Sequence, residues 1–252
     1  MKKIIAIANQ KGGVGKTTTT VNLAACLAEK NQRVLLIDTD PQGNATSGLN
    51  VNKVEQDKTF YELLLGECSI NECILRDVKP GLSLIPSNVN LAAAEIELIG
   101  IENKEYILSK EIEYVLDDFD YVLIDCPPSL NTLTLNAMTT ANSIIVPIQC
   151  EFLALEGLSD LITTINLVKE RLNPSLDLEG IVFTMYDSRT LLSADVVESV
   201  TSHFPDKVYE TKIPRTVRLS EAPSHGMPIT EYDTKSVGAE KYRALADEVM
   251  KR

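Results

Sequence analysis

Short runs of consecutive apolar residues alternate along this chain with longer segments whose apolar positions recur every three or four residues. Runs of the first kind lie at 3–8 (KIIAIA), 33–40 (RVLLIDTD), 82–86 (LSLIP), 121–125 (YVLID), 143–148 (SIIVPI) and 180–185, and 208–213 (VYETKI), though more polar, is read as a further strand. Each is too short for a stable helix and rich in β-branched residues, the signature of a strand covered on both faces. Segments of the second kind follow. Val21, Ala24, Leu27 and Ala28 recur at helical spacing, as do Leu108, Ile112, Val115 and Leu116, and Leu155, Leu158, Ile162, Ile165, Val168 and Leu172. The spacing predicts helices at 91–98, 104–118, 154–172, 193–204 and 236–251. In the least regular stretch, 45–80, the capping signatures Thr59-x-x-Glu62 and Ser69-x-x-Glu72 each open a short helix. Strands alternating with helices predict an α/β protein, a doubly wound and mostly parallel sheet with helices on both faces. At 252 residues one domain is expected over 1–252.

Polar residues gather where the apolar runs end. After the first run comes Asn9-Gln10-Lys11-Gly12-Gly13-Val14-Gly15-Lys16-Thr17-Thr18, a glycine-rich turn between a strand and a helix. Its glycines free successive N–H groups to point at phosphate oxygens, and the helix adds its positive N-terminal end. In that cradle Gly12, Gly13, Val14, Gly15 and Thr18 supply backbone, Lys16 reaches the β- and γ-phosphates, and the Thr17 hydroxyl completes a Mg²⁺ shell. Ligands of a parallel sheet collect at the carboxyl ends of its strands, which places Asp38 and Asp40 beside the cradle. The run at 121–125 ends in Asp125, the arrangement in which an acidic strand end holds Mg²⁺.

A standard P-loop has glycine where this chain has Gln10, and this loop adds a second lysine, Lys11. With K-G-G-V-G-K-T-T, the D-x-D-P-Q-G-N core at 38–44, the stretch QCEFLALEGL at 149–158 and the segment 213–226, the chain resembles the ParA/Soj family of deviant Walker A ATPases from about residue 3 to 250. The resemblance implies ATP and Mg²⁺ as cofactors and a slow ATPase. It further implies a homodimer closed face to face across two nucleotides, with Lys11 crossing to the partner's phosphates. Asp40 then orients the attacking water, Asp38 lies near the Mg²⁺ shell, and Pro214 lies near the adenine. Arg189, Arg215 and Arg218 touch DNA without sequence preference, and a ParB-like centromere-binding protein stimulates hydrolysis through a basic segment. An ATP-gated DNA-binding scaffold with negligible turnover is the alternative, and a MinD-like cell-division ATPase another.

Composition modifies that picture. The net charge of −12 argues against nucleic-acid binding until its distribution is considered. Residues 1–185 carry 14 Lys/Arg against 25 Asp/Glu, whereas residues 186–252 carry 10 against 11, so the acidity lies in the front of the chain. The apolar run after Met1-Lys2-Lys3 is too short for a secretion signal, and no stretch approaches the roughly 20 apolar residues of a membrane span. A cytoplasmic protein with no membrane partner is expected, associated with the nucleoid as the family resemblance implies. With eight residues before the loop motif, no N-terminal helix-turn-helix domain is expected. The stripe Tyr242, Leu245 and Val249 is expected to pack on the sheet. Five cysteines without a C-x-x-C pair predict free, buried thiols, Cys126 included, and His203 and His225 are expected to be structural.

Overall fold

Neighbouring residues of the central strands point to opposite sides of one sheet, and each side is apolar, so both must be covered. Ile4, Ala6, Val122, Ile124, Ile144 and Val146 enter one core, while Ile5, Ile7, Tyr121, Leu123 and Ile145 enter the other. The computed structural model describes residues 2–151 and 154–252. Its strands are β1 (Lys3–Ile7), β2 (Val34–Asp38), β3 (Leu75–Lys79), β4 (Leu82–Ile85), β5 (Tyr121–Asp125), β6 (Ser143–Gln149) and β7 (Asp177–Thr184). They form a seven-stranded sheet in the order β3-β4-β2-β5-β1-β6-β7. All pairings are parallel except β3 with β4.

The helices are α1 (Lys16–Glu29), α2 (Asn44–Gly48), α3 (Phe60–Leu65), α4 (Ile70–Cys73), α5 (Leu91–Glu97), α6 (Ile107–Ile112), α7 (Thr132–Thr140), α8 (Ala154–Arg171), α9 (Leu191–His203), α10 (Val217–Glu221), α11 (Ile229–Tyr232) and α12 (Val237–Lys251). Leu23, Leu27, Ala45, Leu219, Ile229, Tyr242, Leu245 and Val249 bring α1, α2 and α10–α12 onto one face. Phe60, Ile70, Leu91, Leu108, Leu133, Leu158 and Val196 bring α3–α9 onto the other. Full burial of a side chain such as Leu245 is worth about 1.5–3 kcal/mol, and the expected α12 stripe is buried at all three positions. Among the described residues no helix is long and apolar enough to cross a membrane.

The predicted elements hold in most places, and both capping boxes at Thr59 and Ser69 are formed. Three differ. The helix expected over 104–118 is broken into α6 with a 3₁₀ turn on either side, because Asn136 captures its backbone: Leu108 N–H donates to Asn136 Oδ1 at 3.1 Å and Asn136 Nδ2 donates to Lys104 C=O at 2.8 Å. The strand expected at 208–213 lies along β7 but makes a single isolated bridge, Val208 with Ile181, in place of a ladder. Its middle N–H groups, of Glu210 and Thr211, donate to the Glu248 carboxylate at 2.8 and 2.9 Å and so leave the ladder. The stretch 45–80 contains the edge strand β3, whose charged LRDVK sequence hid it, besides the expected helices. Cys26, Cys73 and Cys126 are buried free thiols, whereas Cys68 and Cys150 are half-buried. Phe152 and Leu153 of the QCEFLALEGL stretch, and Met1, lie outside the described residues.

Candidate functional site

β1 is central, flanked by β5 and β6, and the chain leaves it first toward β2 on one side and later toward β6 on the other. The parallel register sets Ile7 beside Asp125 and Asp38 beside Asp125. The glycine-rich loop and the two strand ends that carry Asp38, Asp40 and Asp125 therefore share one edge of the sheet, as expected for a crevice at a topological switch point.

Within the loop, Gly15 caps α1 at φ 84°, a left-handed conformation that strains any residue with a Cβ. Lys16 is buried, and its Nζ donates to the Lys11 carbonyl at 3.0 Å, folding the ammonium over the mouth of the loop. Burial lowers its pKa, with Asp125 opposing the shift. Clamps from outside the motif fix the loop: Thr184 Oγ1 donates to Val14 C=O at 2.8 Å, Gln149 Nε2 to Gly13 C=O at 2.6 Å, and Asn9 Nδ2 to Pro147 C=O at 2.8 Å. Thr184 and Gln149 escaped the sequence reading, although each ends an apolar strand, the position at which site residues collect. Lys11 behaves differently from Lys16. Its side chain is half-exposed and pairs with Glu151. A Cβ built on Gly12 meets no atom of the chain within 4 Å.

The three aspartates divide the work. Asp125 is fully buried and accepts from the Thr17 and Thr20 hydroxyls, both at 2.8 Å. Asp38, also buried, accepts from Thr46 N–H at 2.8 Å, the Thr46 hydroxyl at 2.7 Å and Asp40 N–H at 3.2 Å, so its oxygens brace the loop that carries Asp40. Burial raises both carboxyls above the ordinary range, and for Asp125 the neighbouring Asp38 adds to the shift. Asp40 is half-buried. One of its oxygens accepts from Gln42 N–H at 2.9 Å, and Ser87 holds its carbonyl at 2.7 Å. Gly43 closes this turn at φ 60°, where a Cβ would stand 2.7 Å from the Ser87 carbonyl. Two buried carboxyls beside a threonine hydroxyl form an oxygen-rich site whose ionised state is completed by a hard cation. Among the described residues no group of three acidic, histidine or cysteine side chains forms a closed metal cage. The donor set suits Mg²⁺, which keeps waters and phosphate oxygens in its shell.

Pro214 lines a cavity of about 320 Å³ with Gly15, Thr18, Thr184, Met185 and Tyr242. It opens where α1 begins, bordered by Gly15 and Thr18. Arg215 lines the same cavity and approaches Met185 Sδ at 3.6 Å. A bridge between Tyr186 and Pro214 sets the 186–189 and 214–218 loops side by side. The exposed Arg189 is held by Asp187 through two bonds of 2.9 and 2.7 Å, which keeps the Asp187 carboxyl down at about 2. Arg218 pairs with Glu221 at 3.3 Å and with Asp233 at 3.5 Å. All three predicted arginines thus stand near one rim, and two of them are already paired with carboxylates. His203 bonds Ser199 C=O and His225 stacks on Tyr232.

A family model described as an AAA domain matches residues 2–178. The chain is 53% identical over 249 residues to the sporulation initiation inhibitor protein Soj of Bacillus subtilis, covering 99% of this chain and 98% of that one. It is 50% identical to the chromosome partitioning protein ParA of Caulobacter vibrioides, covering 99% and 94%. Its fold is similar to a crystal structure described as cobyrinic acid a,c-diamide synthase from Mycobacterium smegmatis with bound ATP analogue and magnesium, at a TM-score of 0.85 and 39% identity over 100% and 95% of the chains. The strand–loop–helix cradle with its second lysine, and the relatedness over nearly the whole length, lead to one conclusion: the chain belongs to the ParA/Soj family of partitioning ATPases.

Proposed function

We propose that this chain is an ATP-driven partitioning switch, which binds Mg²⁺ and ATP, closes face to face with a second copy, holds DNA as the dimer and lets go after hydrolysis. The observation that carries this reading is the opposite placement of two lysines in one loop. Lys16 is buried and folded over its own cradle, so it serves the nucleotide of its own chain. Lys11 points outward beside a glycine with open space above it, as a residue would that serves a second copy's phosphates.

In the closed state Gly12, Gly13, Val14, Gly15 and Thr18 surround the phosphates with backbone N–H groups, and Lys16 neutralises them. Bound Mg²⁺ supplies the charge that stabilises the transferring phosphoryl group. Thr17 and Asp125 hold it, with Asp38 bracing the neighbouring loop, and Asp40 orients the attacking water. Pro214 borders the adenine. Arg189, Arg215 and Arg218 carry the contacts to DNA phosphates, and a ParB-like partner accelerates an otherwise slow turnover on the nucleoid.

Lys11→Ala should weaken ATP-dependent dimerisation more than ATP binding. Gly12→Val should do the same while leaving the monomer folded, since a Cβ there meets no atom of the chain within 4 Å. Light scattering with ATP measures both. Dimers of normal stability in the two variants would remove the face-to-face arrangement.

A further inference from the structure

The turn that ends α5 exposes an unusual surface. Ile96, Ile99 and Ile101 are 72%, 70% and 52% exposed, within six residues of one another. Three apolar side chains held in water at one knob are costly by area alone and mark an interaction site when they are contiguous. Glu95, Glu97 and Glu102 alternate with them along the chain, Glu97 accepting from the Tyr61 hydroxyl at 2.8 Å, and no lysine or arginine occurs between Lys79 and Lys104.

Those glutamates select the occupant. A second copy of the chain would bring three glutamates against three glutamates. DNA, or an anionic membrane surface, would be repelled. A segment carrying apolar side chains together with lysine or arginine satisfies both halves of the surface.

The knob is also wired to the catalytic edge. Glu95 accepts from Asn131 Nδ2, which also donates to Ser129 Oγ at 3.0 Å. Asn131 Oδ1 caps α7 by accepting from Thr134 N–H at 3.1 Å, and the Thr134 hydroxyl donates to Ser129 C=O at 2.5 Å. Ser129 stands four residues beyond Asp125 in the loop leaving β5. A cation that takes Glu95 away from Asn131 would release the anchor of that loop.

We infer that the isoleucine knob at the end of α5, alternating along the chain with Glu95, Glu97 and Glu102, is the docking surface for a basic, apolar peptide segment of a protein that regulates turnover. This rests on the reading of the chain as a partner-stimulated ATPase, and the test separates the two. A fluorescent 15-residue peptide of leucines at helical spacing with arginines elsewhere is titrated into the full chain, beside a peptide with glutamate in place of arginine. Wild type should bind the arginine peptide and not the glutamate peptide. Ile99→Ser and Glu102→Lys, both at exposed positions, should each weaken binding about tenfold or more and leave basal ATP hydrolysis unchanged. Equal binding by wild type and variants, or no preference for the arginine peptide, would overturn the docking surface. So would a shift of either variant to a smaller oligomer, which would make the knob a self-interface. A wild type that binds the peptide yet releases no phosphate under any condition would instead sink the ATPase reading and leave the docking surface standing.

Discussion

The phosphate cradle and the arginine rim are both built from charged side chains at the ends of strands, yet they handle charge in opposite ways. In the cradle Lys16, Asp38 and Asp125 are buried, each held by threonine hydroxyls or backbone groups, and burial displaces their ionisation. At the rim Arg189 and Arg218 stand in solvent, each already paired with a carboxylate. A desolvated charge interacts strongly with whatever arrives, because little water competes; an exposed pair contributes roughly 0–1 kcal/mol and exchanges partners at little cost. The cradle is therefore suited to a few strong, stereospecific contacts, and the rim to many weak and replaceable ones.

The sharpest break in this comparison should come at Asp40, the cradle carboxylate left most open. Removing a water-orienting group costs about 10²- to 10⁴-fold in rate without touching ground-state binding. Asp40→Ala should therefore bind ATP within a fewfold of wild type, dimerise and hold DNA, yet not turn over. Phosphate release at the wild-type rate would assign the role to another residue.

Lys16→Ala is next in size. Charge-assisted bonds to phosphate from a buried ammonium are worth about 1.5–3 kcal/mol, or roughly 10- to 150-fold in affinity. Because burial works against the Lys16 charge in the empty cradle, the variant should not lose stability in the absence of nucleotide. Calorimetry of ATP binding and thermal unfolding without ligand give the two numbers. Unchanged ATP affinity would show that the phosphates lie elsewhere.

How much of this contrast can be read from sequence depends on distance along the chain. The cradle is contiguous: strand, glycines, lysine and threonine follow one another from 3 to 18, and three aspartates announce themselves by ending apolar runs. Its clamps are not contiguous. Gln149 and Thr184 reach the loop only because β6 lies beside β1 and β7 beside β6, and Ser87 meets Asp40 only because β4 lies beside β2. The same holds for Glu248, whose carboxylate takes the N–H groups of Glu210 and Thr211 and dissolves an expected strand. At the rim, Asp187 stands two residues before Arg189 and is legible as its partner. Asp233 reaches Arg218 only through the packing of α10 against α11.

A third effect, smaller per unit of change, tests the buried carboxyls through pH. Asp125 and Asp38 have folded-state pKa values raised by burial above those of the unfolded chain. Between the two values the native state holds protons that the unfolded state has released, so stability without ligand should fall as pH rises from the ordinary carboxylate range toward neutrality. Mg²⁺ requires the ionised form. Binding of Mg²⁺ and ATP should accordingly release protons and tighten with pH, by at most about tenfold per pH unit for each proton released. Titration calorimetry in two buffers of different ionisation enthalpy counts those protons. Asp125→Asn should flatten the ligand-free stability profile; a profile as steep as wild type would place the titration on another group.

The smallest effects belong to the rim, where the proposed function has a chain of net charge −12 hold a polyanion. Screening at physiological salt confines repulsion from distant acidic surface to about 8 Å, whereas an arginine touching phosphate gains from local counterion release. Arg189 must first leave Asp187, and the exposed pair makes that exchange cheap. Each lost phosphate contact should lower the slope of log affinity against log salt by about 0.9, so Arg189→Ala or Arg218→Ala, removing one contact per subunit, should lower it by roughly 1.8 in a dimer. The loss should be the same on unrelated DNA sequences, because phosphates carry no base information. Asp187→Asn should act in the opposite direction, strengthening binding by freeing the arginine that the carboxylate now holds. DNA titrations with ATP at several salt concentrations compare the three variants with wild type. If Arg189→Ala and Arg218→Ala leave both affinity and slope unchanged, the DNA surface lies away from this rim, and the exposed pairs there are ordinary surface charge.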